Sequence, residues 1–314
     1  MNGNNLPDRT AIEAAAARVG DRVRTTPVLR LGLRPFNLAG ELVLKLECLQ
    51  HTGSFKPRGA FNRVLSAGRV PDAGLIAASG GNHGAAVAYV ALELGLPAEI
   101  FVPSIVVPSK LDRIRQYGAD VRIGGDRYAD ALAASERRAR DTGALAVHAY
   151  DDADVIAGQG GVAREFEAQA GTLDTVLVAV GGGGLVAGIA AWYAGRTRVV
   201  AVEPRTSRAL DAALAAGEPV DVDVAGIAAD SLGARRAGER AFAIARDTGV
   251  TSVLVDDENI RVAQRMLWKH TRVFAEPGGA TALAAILSRA YTPQPGERVG
   301  VVVCGANGDP TVLA

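Results

Sequence analysis

Short apolar runs alternate with alanine-rich stretches of helical spacing along most of the chain. Residues 42–46, 75–78, 98–102, 176–180, 198–202 and 299–303 read as strands. Several are continuously apolar rather than alternating, the pattern of strands covered on both faces. Residues 83–94, 109–117, 128–142, 185–194 and 234–247 read as helices between them. This rhythm predicts an α/β fold with parallel sheets flanked by helices. No internal repeat, low-complexity tract or charge block interrupts it.

Four junctions after strands are rich in turn residues: Ser79-Gly80-Gly81-Asn82, Gly181-Gly182-Gly183-Gly184, Glu203-Pro204 and Cys304-Gly305-Ala306-Asn307. Ligands of open α/β sheets gather beyond the carboxyl ends of strands, so chemistry is expected at these junctions. Gly181, Gly182, Gly183 and Gly184 precede Leu185 and a helical stretch. Without Cβ atoms, backbone N–H groups can close around a phosphate at a helix N-terminus. The loop has no lysine, which argues against a nucleoside-triphosphate loop. Val186 stands where a dinucleotide fingerprint needs its third glycine. The bland reading is a flexible turn. Ser79, Asn82 and His83 lie in a second small-residue loop that opens a helix and has room for a carboxylate. There Asn82 reads equally well as a helix N-cap.

Lys56 stands in Ser54-Phe55-Lys56-Pro57-Arg58-Gly59, ahead of a helical stretch starting near Gly59. On spacing alone it reads as a solvated surface charge. Desolvated, it would have a lowered pKa and the capacity to form a Schiff base. Cys304 reads either as a small buried hydrophobe or as a thiol meeting a ligand ring.

Composition narrows the field. Lys plus Arg and Asp plus Glu each number 34, so the net charge is zero. No broad field is available for gripping nucleic acid or an anionic membrane. The 2 cysteines are far apart and the 4 histidines scattered, so neither a disulfide framework nor a zinc site can be read. The chain starts polar, with no apolar signal region. No apolar run approaches the roughly 20 residues of a membrane span. A soluble cytoplasmic protein is expected.

Taken together, the segments resemble the fold-type II pyridoxal-phosphate family of threonine and serine dehydratases, serine racemase and their relatives. The resemblance runs from Thr26-Pro27 to the C-terminus. It rests on Lys45-Leu46-Glu47 leading into residues 52–60, then on Ser79-Gly80-Gly81-Asn82-His83-Gly84 and Ile156-Ala157-Gly158-Gln159-Gly160. It continues through residues 181–185, Val202-Glu203-Pro204, Glu276-Pro277 and Cys304-Gly305-Ala306-Asn307, all in family order. The resemblance implies that Lys56 carries pyridoxal 5'-phosphate as a Schiff base and that Phe55 packs on its ring. It implies that Asn82 meets the phenolic oxygen, that Gly181 to Gly184 with Leu185 hold the phosphate, and that Cys304 meets the pyridine nitrogen. Ser79, Asn82 and His83 would bind the substrate carboxylate. The implied reaction is elimination of water from a hydroxy-amino acid such as L-threonine or L-serine, giving a 2-oxo acid and ammonia. The resemblance also implies a homodimer.

Departures refine this expectation. Racemases of the family carry a serine two residues before the asparagine, where this chain has Gly80. Glycine transfers no proton, which argues for elimination over racemisation. A family cation site pairs the Glu of V-E-P with a carboxylate six residues on, but that position is Ala209 here. The site is incomplete unless Asp211 substitutes, so a divalent or monovalent cation lacks support. The family's Ala-Asp-Gly reads Ala229-Asp230-Ser231. A regulatory domain like that of biosynthetic threonine deaminases is not expected after Cys304. Alternatives are β-replacement or racemisation on the same scaffold and a non-catalytic phosphate-ligand binder. The resemblance implies a larger domain from residues 1–65 and 150–314, with residues 70–149 inserted as a smaller one.

Overall fold

The computed structural model describes residues 6–32, 41–106 and 108–313. The polar start at residues 1–5 lies outside them. The chain first forms α1 (Arg9–Val19), β1 (Val28–Gly32), β2 (Glu41–Lys45) and α2 (Lys56–Ser66). It continues through β3 (Leu75–Ala78), α3 (Asn82–Leu94), β4 (Ala98–Val102), α4 (Pro108–Arg115), β5 (Asp120–Ile123), α5 (Tyr128–Thr142) and β6 (Leu145–Ala146). Next come α6 (Ala153–Ala170), β7 (Thr175–Ala179), α7 (Gly184–Tyr193), β8 (Arg198–Pro204), α8 (Ala209–Ala216), α9 (Ala229–Leu232) and α10 (Glu239–Asp247). The last are β9 (Thr251–Val255), α11 (Asp257–Thr271), α12 (Pro277–Leu287) and β10 (Arg298–Val302).

Two sheets result. A 6-stranded sheet runs in the order β1-β2-β10-β7-β8-β9, and a 4-stranded sheet in the order β5-β4-β3-β6. Every pairing is parallel except β1 with β2. In the larger sheet Val299 stands beside both Leu42 and Thr175, and Val301 beside Leu44 and Leu177. These central side chains are buried. Burial of a valine or leucine contributes about 1.5–3 kcal/mol, which is why the apolar runs hold the middle of the sheet. A second core, with Ile100, Val87 and Phe61, lies against the smaller sheet.

All six apolar runs are strands, each displaced by at most two residues at an end. Two helix starts differ from expectation. α2 begins at Lys56, not near Gly59, because Pro57 fits a first turn whose N–H groups have no intrahelical acceptor. α10 begins at Glu239, five residues later than its apolar spacing indicates. Asp151, from a distant loop, accepts hydrogen bonds from Glu239 N and Arg240 N at 3.1 and 3.0 Å and so sets the start. α2 packs on α6 at close range: a Cβ on Gly158 would lie 2.5 Å from Arg58 O. That approach places the start of α2, and with it Lys56, at the carboxyl ends of the larger sheet.

Candidate active site

The loops after β7 and β10 meet the first turns of α2, α3 and α12. Phe55, Lys56, Asn82, Gly181, Gly182, Gly183, Gly184, Leu185 and Cys304 all line one crevice. Residues separated by more than 200 positions thus come together. The crevice adjoins a cleft of about 780 Å³, and Asn82, Ser231 and Glu276 border both.

Lys56 Nζ donates to Ala149 O at 2.7 Å and lies 5.2 Å from the Phe55 ring centre. The side chain is half-buried and borders the cavity. Burial pushes its pKa down from 10.5 to about 8, and Cys304 opposes this. The Cys304 thiol is itself raised by burial first and then by Glu276. It therefore stays neutral and offers Lys56 little compensating charge. The first turn of α2 carries the positive end of the helix dipole, which further disfavours an ammonium. Cys304 Sγ donates weakly to Gly278 O at 3.5 Å.

The glycine loop leads from β7 into α7. Gly183 is the N-cap, with φ +95°, a left-handed conformation that glycine adopts without strain. No side chain caps this helix. Its first-turn N–H groups lack intrahelical acceptors and can bind an anion. The loop is pressed from behind: a Cβ on Gly182 would lie 2.4 Å from the Tyr150 ring. Tyr150, which also lines the crevice, was not legible in the sequence, where it is one tyrosine in a turn-rich connection.

The second loop is arranged differently from expectation. Gly81 is the N-cap of α3, so Asn82 is its first residue and not its cap. The Asn82 amide instead donates to Glu276 Oε1 and accepts from Asn307 Nδ2, both at 2.6 Å. The His83 ring is buried, with Nε2 2.8 Å from Val147 O. Burial and then the charge of Lys56 push its pKa down to about 3, so it is neutral. Neither His83 nor Ser79 is among the residues lining the crevice or the cleft. Ser79 Oγ accepts from Gly81 N at 3.2 Å. What Asn82 and His83 offer a carboxylate is the N–H groups of the first turn of α3, whereas Ser79 N already donates to Phe101 O at 3.0 Å.

The Glu203-Pro204 junction does not reach the cleft. Glu203 is buried and accepts from Leu210 N at 2.9 Å and Asp211 N at 2.7 Å, capping α8. The Asp211 side chain pairs with Arg208 at 3.2 Å. Among the described residues, no group of three or more His, Cys, Asp or Glu side chains is placed to hold a metal ion. Ser231 borders both spaces, and a Cβ on Gly278 would lie 2.4 Å from its Oγ.

An enclosed amine beside an uncapped glycine turn suits one class of protein, enzymes that hold a phosphate-bearing aldehyde through a lysine. The chain belongs to the family described as pyridoxal-phosphate dependent enzymes, whose model matches residues 19–305. It is 34% identical over 323 residues to a phenylserine dehydratase of Ralstonia pickettii, covering 100% of this chain and 97% of that one. It is 37% identical over 304 residues to an L-threonine ammonia-lyase of Geobacter sulfurreducens, covering 96% and 75%. Among solved structures it is similar to a threonine deaminase from T.th., with TM-score 0.88, 36% identity and coverage of 96% and 99%. It is also similar to maize serine racemase, with TM-score 0.91, 32% identity and coverage of 98% and 96%. The cofactor is pyridoxal phosphate, and the residues present fit it: an amine of lowered pKa, free N–H groups at a glycine turn and a neutral thiol. No described helix is long and apolar enough to cross a membrane.

Proposed function

We propose that this chain removes water from a small β-hydroxy amino acid and releases ammonia and a 2-oxo acid. The observation that carries this reading is the enclosure of Lys56 beside the glycine turn, with no carboxylate partner for its amine among the described residues. Relatives named phenylserine dehydratase, L-threonine ammonia-lyase and threonine deaminase support the reaction type.

Bound pyridoxal phosphate supplies an aldehyde that condenses with amines and a ring that withdraws electrons from the substrate Cα. This chain's residues then have separable tasks. Lys56 would anchor the cofactor, and its amine, when free, would take the Cα proton; a pKa of about 8 leaves a useful fraction unprotonated near neutrality. The N–H groups at Gly183 to Leu185 would hold the phosphate, and Asn82 would donate to the phenolic oxygen. The first turn of α3 takes the substrate carboxylate. Cys304, held neutral by burial, would lend no negative charge to the pyridine nitrogen. The Cα proton and Cβ hydroxide leave as water. The released enamine takes up water in turn and yields ammonia and the 2-oxo acid.

Gly80 supports elimination over racemisation. A Cβ there would lie 2.5 Å from Val106 Cγ2, so the backbone is packed for glycine and no proton carrier stands at that position. The two sheets support the division into residues 1–65 with 150–314 and residues 70–149. Lys110 of α4 pairs with Asp230 of α9 at 2.7 Å across the cleft between these parts. A cytoplasmic homodimer completes the reading; it rests on family resemblance, and light scattering tests the oligomeric state. Activity is tested by ammonia and keto-acid release from L-threonine, L-serine, 3-hydroxyaspartate and bulkier β-hydroxy amino acids. Turnover retained in Lys56→Ala, or a protein left colourless by pyridoxal phosphate, would sink the proposal.

A further inference from the structure

Glu276 has no task in the reaction above, yet it borders both the crevice and the cleft. It ends a chain of side-chain hydrogen bonds. Asn307 Nδ2 donates to Thr52 O at 2.7 Å and to Asn82 Oδ1 at 2.6 Å. Asn82 Nδ2 donates to Glu276 Oε1 at 2.6 Å. The two ends of an amide are nearly alike in shape, so its orientation must come from its partners. Here the orientation is imposed from one end. Thr52 O, a backbone carbonyl, can only accept, so Asn307 must present its NH₂ group. That group requires Asn82 Oδ1, which leaves Asn82 Nδ2 facing Glu276. Thr52 itself has φ 60°, a left-handed conformation that is unfavourable for a β-branched residue and persists where surroundings enforce it.

Room for the carboxyl group is also specific. A Cβ on Gly305 would lie 2.1 Å from Glu276 Oε1, and Gly305 O accepts from Glu276 N at 3.1 Å. The Asn82 NH₂ group has two hydrogens. One is committed to Glu276, and the other remains for the crevice that Asn82 shares with Lys56.

We propose that Glu276 is a positioning residue: with Asn307 it locks the Asn82 amide so that one N–H is kept for an oxygen of the cofactor. This rests on the proposed placement of the cofactor beside Asn82. Burial raises the Glu276 pKa, while Asn82, Arg113 and Lys110 oppose the rise. Either form of the carboxyl has an oxygen that can accept from Asn82, so the lock does not depend on ionisation.

The test uses holoenzyme and two readouts, cofactor affinity by titration and the long-wavelength absorption band of the bound cofactor. Glu276→Ala is expected to weaken cofactor binding about tenfold and to shift the band, while Glu276→Gln, which keeps an acceptor, stays within about threefold. In an Asn82→Ala background, Glu276→Ala should add less than about twofold. Asn307→Ala breaks the chain from its other end and gives the same coupling measurement should Glu276→Ala not fold. Equal weakening with and without Asn82, or a Gln variant as impaired as the Ala variant, overturns the inference. An Asn82→Ala holoenzyme with unchanged affinity and band overturns the placement of Asn82 and the inference with it. A protein that binds no pyridoxal phosphate overturns the proposed function instead.

Discussion

Arg58 holds Glu47 through two parallel hydrogen bonds, Nε to Oε2 at 2.7 Å and Nη2 to Oε1 at 2.8 Å, in a buried pair. The same guanidinium grips Glu165 with bonds of 2.7 and 2.9 Å. Lys45 Nζ reaches Glu165 at 2.8 Å and Thr26 O at 2.7 Å. Two cations and two carboxylates therefore balance beneath the first turn of α2. Arg58 stands two residues after Lys56, so this cluster ties the backbone at Lys56 to β2 and α6. Lys45, Glu47 and Arg58 all lie in the segments that carried the family resemblance.

Removing one member strands its partners. Arg58→Met or Glu47→Gln should destabilise the fold by about 3–5 kcal/mol, because an uncompensated buried charge is left behind. Urea midpoints at constant m-value measure this. A loss below about 1 kcal/mol would show that the cluster tolerates opening.

The lowered pKa of Lys56 makes a stability prediction for cofactor-free protein. Its folded-state value is about 8 against an ordinary 10.5. Below pH 8 both states are protonated and burial of the charge costs its full amount. Between pH 8 and 10.5 the unfolded chain keeps a proton that the folded chain has lost, so stability rises with pH. The rise should total about 3 kcal/mol. Lys56→Met should lack it and should be the more stable protein at pH 7. Parallel denaturation curves for the two proteins across this range would contradict the enclosure of the amine.

Gly182 backs onto Tyr150. Gly182→Ala places a Cβ 2.4 Å from the ring, and strain of this kind costs about 1–3 kcal/mol. Cofactor affinity should fall about tenfold or more. Adding Tyr150→Ala should restore part of it, since the clash is then absent. If the double variant binds no better than Gly182→Ala alone, the ring is not what holds the loop.

Without a side chain to carry a proton, Gly80 is expected to favour elimination over racemisation. Gly80→Ser alone requires Val106 to move. Gly80→Ser combined with Val106→Ala makes room for the hydroxyl and should generate D-serine from L-serine, detectable by chiral chromatography. The unchanged chain should racemise far more slowly than it eliminates. Comparable rates in the unchanged chain would refute the assignment of Gly80.

Strands covered on both faces were legible because burial demands a continuous apolar run, as in residues 299–303. β5 was not, because Asp120 and Arg122 leave no such run on a largely exposed strand. β6 is too short to carry a pattern. Gly181 to Gly184 announced a thin turn because four residues in a row without side chains leave only backbone to pack or to bind. Asn82, however, looked as much like a cap as a ligand. Its two partners, Glu276 and Asn307, are 194 and 225 positions away.

By itself, the order of residues determined the α/β rhythm, the glycine turn and the set of segments shared with a family. Tertiary structure alone decided the state of the groups within them. Lys56 is an amine of lowered pKa because segments far along the chain exclude water from it, with its acceptor, Ala149 O, 93 positions away. His83, which stands beside Asn82 in sequence, is turned into the protein toward Val147 O. Apolar patterning is local and survives in a linear string. Desolvation and hydrogen-bond partnership are properties of the surroundings, which exist only once the chain has folded.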